Sequence, residues 1–289
     1  MRQLLTAMRP RQWVKNSLVV IAPLAAGTLL QADIAGQVVV AFAMFSLASS
    51  ATYLLNDVID RDRDADHPVK RDRPVASGLL TVPQAVAASA LLSTVAIGGA
   101  LSLVNPEFTA VIATYLIATT LYSLRLKHEA LYDVGLIAAG FLLRALAGGV
   151  ATGTPLSAWF LVTSTAGALF VAAGKRASEL DAIPDIDAPT RPSLKNYTPG
   201  YLRFLWTATG TTTITALVVW SLEVAVGSAR PGLAQASVAP LTLAILRYAW
   251  WVDRGEAEAP EEVLRHDRGL ILLGSVWAAL LLSSSRGFV

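Results

Sequence analysis

The chain has 289 residues, 54% of them hydrophobic and only 15% charged, with a formal net charge of +2. Soluble domains carry about 25% charged residues, so this balance points to lipid, and no nucleic-acid partner is expected. The absence of cysteine excludes a disulfide framework, a thiol nucleophile and a thiolate metal site, while the three histidines (His67, His128, His266) are scattered without ligand spacing.

In chain order, the N-terminus opens basic (Arg2, Arg9, Arg11) and runs into a long apolar stretch with no small-residue cleavage pattern. It reads as a retained first helix. A span needs about 20 mostly apolar residues. Nine such stretches occur, near 14–30, 38–55, 81–103, 108–122, 132–152, 156–173, 202–226, 238–252 and 269–284. They are far longer than the alternating segments of about 10 residues that build outer-membrane barrels. Small residues are dense in several of them (Gly98, Gly99, Gly140, Gly148, Gly149, Gly167), which suits close helix pairs. The expected fold is an all-α integral membrane protein, a single polytopic domain over 1–289 with nine transmembrane helices bundled around a central cavity. Loop lysines and arginines crowd one side, and only Arg230 and Arg286 fall opposite. That asymmetry sets the N-terminus and the loops at about 56–80, 123–131 and 174–201 in the cytoplasm, and the protein in the inner (plasma) membrane. Acidic residues share this side, among them Glu129, Asp133, Asp185 and Asp187. A site for a charged, water-soluble reactant is expected on the cytoplasmic face.

Five groups or single residues carry candidate chemistry. After the second stretch, Asn56-Asp57-x-x-Asp60-x-x-x-Asp64 steps by three and four, so the aspartates line one face if the helix continues past the membrane. Like charges at that spacing repel unless a cation lies between them. Magnesium suits such a site, because it prefers oxygen ligands and is held by one or two carboxylates plus substrate phosphate. Asp62 and Asp66 fall on the other face as solvated charges, and Lys70, Arg71 and Arg73 follow as phosphate ligands. After the fourth stretch come Tyr122, Arg125 and Lys127. At the end of the sixth lie Lys175, Arg176 and Glu179, with Arg191, Lys195 and Tyr197 beyond. Arg144 lies roughly 18 Å into the fifth stretch at 1.5 Å per residue. A charge so deep faces a cavity or a partner. It sits three turns from Asp133 on the same face, and both an ion pair and a ligand contact remain open for it. Lys15, at the start of the first stretch, is either an interfacial anchor or a ligand. His266-Asp267-Arg268 reads as a linker.

At these residues the chain resembles, over essentially its whole length, the UbiA superfamily of intramembrane prenyltransferases. The resemblance implies a magnesium–diphosphate site at Asn56, Asp57, Asp60 and Asp64 and an isoprenoid chain in a lateral cavity. Most members carry a second DxxxD after the sixth helix. Here that stretch reads Lys175-Arg176-x-x-Glu179, with Asp181 and Asp185 later. Together with RPRQWVKN at 9–16, HPVKRDRP at 67–74 and YSLRLK at 122–127, this basic variant is similar to the actinobacterial branch acting on decaprenyl phosphate. That likeness implies transfer of 5-phosphoribose from 5-phosphoribosyl 1-diphosphate (PRPP) to a polyprenyl phosphate, with Mg2+ as cofactor, on the route to arabinan cell-wall precursors. Asp57, Asp60, Asp64, Lys175 and Glu179 are then the catalytic set. Lys15, Asn56, Lys70, Arg73, Tyr122, Arg125, Lys127, Arg144, Lys175, Arg176, Lys195 and Tyr197 are the substrate-binding set. A homo-oligomer is compatible with the sequence. Two other readings stay open: prenyl transfer from a polyprenyl diphosphate to an aromatic acceptor, and transport of a phosphorylated solute.

Overall fold

The computed structural model describes residues 2–182 and 192–284. Asp185, Asp187, Arg191 and Arg286, which entered the charge reading above, lie outside the described residues. Only helices and their connections occur among the described residues. A short α1 (Arg2–Met8) leads through Arg9 into a 3-10 helix at Pro10–Val20, then α2 (Ile21–Ala25) and α3 (Ala32–Ile59). There follow α4 (Arg61–Ala65), α5 (Val82–Leu103), α6 (Pro106–Leu124), α7 (Tyr132–Thr152) and α8 (Ala158–Asp181). The chain closes with α9 (Pro199–Gly227), α10 (Pro231–Ala236), α11 (Val238–Asp253), α12 (Pro260–His266) and α13 (Arg268–Ser284).

Six of these helices, α3 and α5 to α9, are long and apolar enough to cross a membrane. A seventh span results if α12 and α13, bent by 83° at their junction, count as one. The all-helical, multi-span expectation is met, while among the described residues six or seven helices rather than nine are long and apolar enough to cross. Stretch 14–30 departs most from it, folding as a 3-10 helix of 11 residues followed by the 5 of α2. Stretch 238–252 forms α11, of only 16 residues.

Helix starts follow local chemistry. Thr81 and Gln84 form a capping box ahead of α5. Asn105 accepts the Phe108 N–H at 2.6 Å ahead of α6, whose first residue is Pro106. Ser157 and Thr198 cap α8 and α9 in the same way. In the packing, α8 runs along α9 and α3 along α5, while α7 touches α3, α6 and α8 and so takes the centre. A buried cluster around Phe45, Phe108, Ile112 and Tyr115 closes one end of the bundle. Gly148 of α7 is required by close approach, since a Cβ there would lie 1.9 Å from the Val19 carbonyl oxygen. This contact presses the 3-10 segment onto α7, and Lys15 of the segment lines the cavity described next.

Candidate active site

A cavity of about 500 Å3 opens where the ends of α3, α6, α7 and α8 meet the 3-10 segment and the loop after α4. Its polar wall starts at the aspartates. The helix does not run through them: α3 ends at Ile59, Asp60 has φ −93° and ψ 4°, and α4 begins anew at Arg61. The aspartates therefore do not form one continuous helical face. Their mutual repulsion is relieved by cations from elsewhere in the chain. Arg73 bonds Asp64 at 2.6 Å and Asp57 at 3.3 Å, Arg9 also donates to Asp57, and Lys127 Nζ donates to Asp60 at 2.5 Å. Arg9 reaches its carboxylate because its backbone takes the left-handed φ of 54°, which turns the chain between α1 and the 3-10 helix.

Asn56, Asp60 and Asp64 lie on the cavity wall, whereas Asp57, 1% exposed, sits behind it between its two arginines. Asp66, expected to face away, borders the cavity as well. Among the described residues no three acidic or histidine side chains group closely enough to form a metal site by themselves. Two carboxylates and an amide oxygen facing one cavity nonetheless suit Mg2+, which takes one or two protein carboxylates and completes its shell with water and substrate phosphate.

The lining is also rich in cations. Lys15, Lys70, Arg144, Lys175 and Arg176 share it with Tyr122, and Arg73 and Lys127 reach it while bonded to the aspartates. Arg144 is held by neutral groups: Nε donates to Asn16 Oδ1 at 2.7 Å, and the two terminal nitrogens donate to the Gly140 carbonyl at 2.7 Å and the Tyr115 hydroxyl at 2.8 Å. The guanidinium also lies 4.8 Å from the Tyr115 ring centre. Among the described residues its hydrogen-bond partners are all neutral, and it lines the cavity. Asp133 stays off the cavity wall. It is fully buried and accepts from Arg176 Nε at 2.7 Å, Ser193 at 3.0 Å and the Tyr197 hydroxyl at 2.7 Å. Arg176 also donates to Glu179 and, at 3.2 Å, to the Tyr122 hydroxyl. Burial first, and then the bond to Asp133, holds the Tyr197 phenol above its ordinary pKa. Glu179 pairs with Arg176 and lies 3.5 Å from Lys175, and it does not border the cavity. Arg125 and Lys195 are exposed and stand off the cavity.

Sequence reasoning passed over several of these groups. Arg9 and Asn16 lie in the RPRQWVKN run, but only the fold shows that one meets Asp57 and the other Arg144. Asp133 was visible as an acidic residue at a helix end, without its role. Glu261, on α12, pairs with Lys15 at 3.1 Å and accepts from Gln12 at 2.8 Å, and nothing local in the sequence marks it.

A helical bundle with several candidate membrane spans around a cavity lined by carboxylates and cations defines a multi-pass membrane protein whose site suits anionic groups. The profile of the UbiA prenyltransferase family matches residues 17–277, and the chain belongs to that family. It is 42% identical to the decaprenyl-phosphate phosphoribosyltransferase of Mycobacterium tuberculosis, covering 94% of this chain and 91% of that one. The protein of the same name from Corynebacterium glutamicum is 41% identical, over 95% of this chain and 84% of its own. Among solved structures, a UbiA homolog from Archaeoglobus fulgidus bound to GPP and Mg2+ aligns with a TM-score of 0.71 at 18% identity, covering 98% of this chain and 97% of that one. At that identity the likeness concerns the fold.

Proposed function

We propose that this chain transfers 5-phosphoribose from PRPP to decaprenyl phosphate or a related polyprenyl phosphate, releasing pyrophosphate, as an early step toward arabinan and arabinogalactan precursors. The relatives at about 40% identity named for this activity support the reading. The observation that carries it is the composition of the cavity wall. Three carboxylates, Asp60, Asp64 and Asp66, share the lining with a larger number of cations, among them Lys15, Arg144 and Lys175, and the single acid of the sixth-helix motif, Glu179, is turned onto Arg176. A prenyl diphosphate needs one diphosphate site. PRPP and a phosphorylated lipid bring a diphosphate and two phosphate monoesters, and the surplus of cations matches them.

In this mechanism Asn56, Asp60 and Asp64 would hold Mg2+, with Asp57 supporting the site from behind through Arg73. When bound, the metal neutralises charge on the diphosphate leaving group. Arg73 and Lys127, held on carboxylates, and Lys70 at the same rim turn toward diphosphate oxygens. Lys15, Arg144 and Lys175 seat the monoester phosphates, with Tyr122 and Arg176 shaping the wall between. An oxygen of the lipid phosphate attacks the anomeric carbon from the face opposite the diphosphate. The C1–O bond to pyrophosphate breaks, its electron pair leaves with pyrophosphate, and the sugar inverts. A phosphate monoester is already ionised near neutral pH, so no strong base is needed, and rate comes from positioning and charge stabilisation.

The same reading gives nine crossings and a cytoplasmic N-terminus. At 2.0 Å per 3-10 residue and 1.5 Å per α residue, the Pro10–Ala25 segment rises about 30 Å, the thickness of a hydrocarbon core. The rise of α11 is about 24 Å, and α10 adds about 9 Å before it. The side rich in lysine and arginine, which carries the cavity mouth, then faces the cytoplasm of the inner membrane. Ligand-dependent thermal unfolding tests the assignment. PRPP with Mg2+ is expected to raise the melting temperature while geranyl diphosphate with Mg2+ does not, and the reverse pattern would favour prenyl transfer.

A further inference from the structure

The crossover from α11 to α13 brings an acid into an otherwise cationic part of the cavity. Gly255, at φ +71°, turns the chain out of α11, and Pro260 then lines the cavity at the head of α12. Three contacts fix this segment. Lys175 Nζ donates to the Glu258 carbonyl at 2.9 Å, the Ala257 N–H donates to Ser178 Oγ at 3.1 Å, and Asp267 receives Arg247 at 2.7 Å at the far end. The next residue after Pro260 is Glu261, whose side chain is 10% exposed. Its carboxylate lies 3.1 Å from Lys15 Nζ and accepts from Gln12 Nε2 at 2.8 Å. The other charged groups around Lys15 are Lys175 and Arg144, both cations. Glu261 is therefore the counter-charge of Lys15, carried on an anchored segment, while Lys175 lies 3.5 Å from Glu179.

We propose that Glu261 is a specificity-determining residue that acts through Lys15. It holds the ammonium at the cavity wall and offsets part of the positive field, which sets how tightly the pocket grips a phosphate monoester. The role rests on the functional reading above and adds a residue from the opposite end of the chain to the same site. A wall with Lys15, Arg144 and Lys175 and no acid would bind anionic substrate and anionic product alike, and such uniform binding does not speed turnover. A fixed carboxylate weakens both. The phosphate concerned is either the 5-phosphate of the sugar donor or the phosphate of the lipid. The two share their chemistry, so the experiment separates them.

Dissociation constants are measured for PRPP with Mg2+, and separately for a short-chain polyprenyl phosphate in detergent. The proteins are the wild type, Glu261→Gln, Lys15→Met and the double variant. Glu261→Gln keeps the size of the side chain and an acceptor for Gln12. It is expected to tighten binding of one of the two ligands by about three- to fivefold, the size of one partly screened charge contact. In the Lys15→Met background the same change should have a clearly smaller effect, because only the part acting through Lys15 is lost, which a merely structural role for Glu261 would not produce. Glu261→Asp, which retracts the carboxylate and keeps its charge, should fall between Glu261→Gln and wild type, and serves if Glu261→Gln does not fold. Unchanged binding in Glu261→Gln, or an equal change with and without Lys15, would overturn this role alone. Failure of the wild type to bind either ligand would overturn the functional reading and this role with it.

Discussion

Arg176 and Asp133, both fully buried, meet at 2.7 Å and tie α8 to the start of α7. Ser193 and Tyr197 close on the same carboxylate and bring in the segment ahead of α9. Asp133→Ala would leave a buried guanidinium with Glu179 as its remaining carboxylate. A loss of about 3–5 kcal/mol is expected, the usual consequence of breaking a buried pair from one side. Thermal unfolding in detergent checks this, and a melting temperature equal to wild type would contradict it.

Arg144 depends on shape as well as charge. Its three donors are matched to Asn16, the Gly140 carbonyl and Tyr115, and an ammonium cannot reproduce that fork. Arg144→Lys keeps the charge but leaves buried acceptors unpaired. It should cost about 1–3 kcal/mol in stability. Substrate binding should weaken further than stability predicts, as a titration of the folded variant would reveal.

The aspartates should divide by function. Asp60 and Asp64 face the cavity, so Asp60→Asn and Asp64→Asn are expected to raise the Mg2+ concentration needed for half-maximal transfer by more than about tenfold, the range seen even for outer-shell metal partners. Asp57 lies behind them between Arg9 and Arg73. Asp57→Asn should mainly lower stability, by leaving two cations facing each other. Chelation of Mg2+ should stop the wild-type reaction, and activity that persists in a chelator would contradict the metal assignment.

His67 gives a pH signature. Its Nδ1 accepts the backbone N–H groups of Val69 at 3.2 Å and Lys70 at 3.3 Å, which requires an unprotonated nitrogen. Burial and then the Lys70 charge hold its pKa below the ordinary histidine value. A folded pKa below the unfolded one means that its contribution is present above the unfolded pKa and lost as pH falls through the folded value. As pH falls below the ordinary histidine value of about 6.5 the wild type should therefore lose thermal stability relative to His67→Asn, whose side chain can accept the same bonds without titrating. Parallel curves for the two proteins would contradict the assignment.

Much of this molecule was legible in its sequence because the informative patterns are local. Hydropathy marked the helical stretches, the aspartates stood out as charge at a membrane boundary, and Arg144 stood out as charge at depth. Interruption of the helix at Asp60 was not legible, because three-four spacing is equally compatible with an unbroken helix. The 3-10 form of Pro10–Val20 was hidden in the same way, since hydropathy does not distinguish a rise of 2.0 Å from one of 1.5 Å. The partners of the charges were the least visible part. Lys127 on Asp60, Asn16 on Arg144 and Glu261 on Lys15 join residues far apart in the chain, and only helix packing brings them together.

The most direct test of the account is transfer itself. Purified protein is incubated with Mg2+, polyprenyl phosphate and PRPP labelled in the ribose, and the organic and aqueous phases are counted. The account predicts label in the lipid phase, matched by an equal amount of pyrophosphate and dependent on Asp60 and Asp64. Ribose label that stays in the aqueous phase, while a prenyl diphosphate is consumed with an aromatic acceptor, would contradict it.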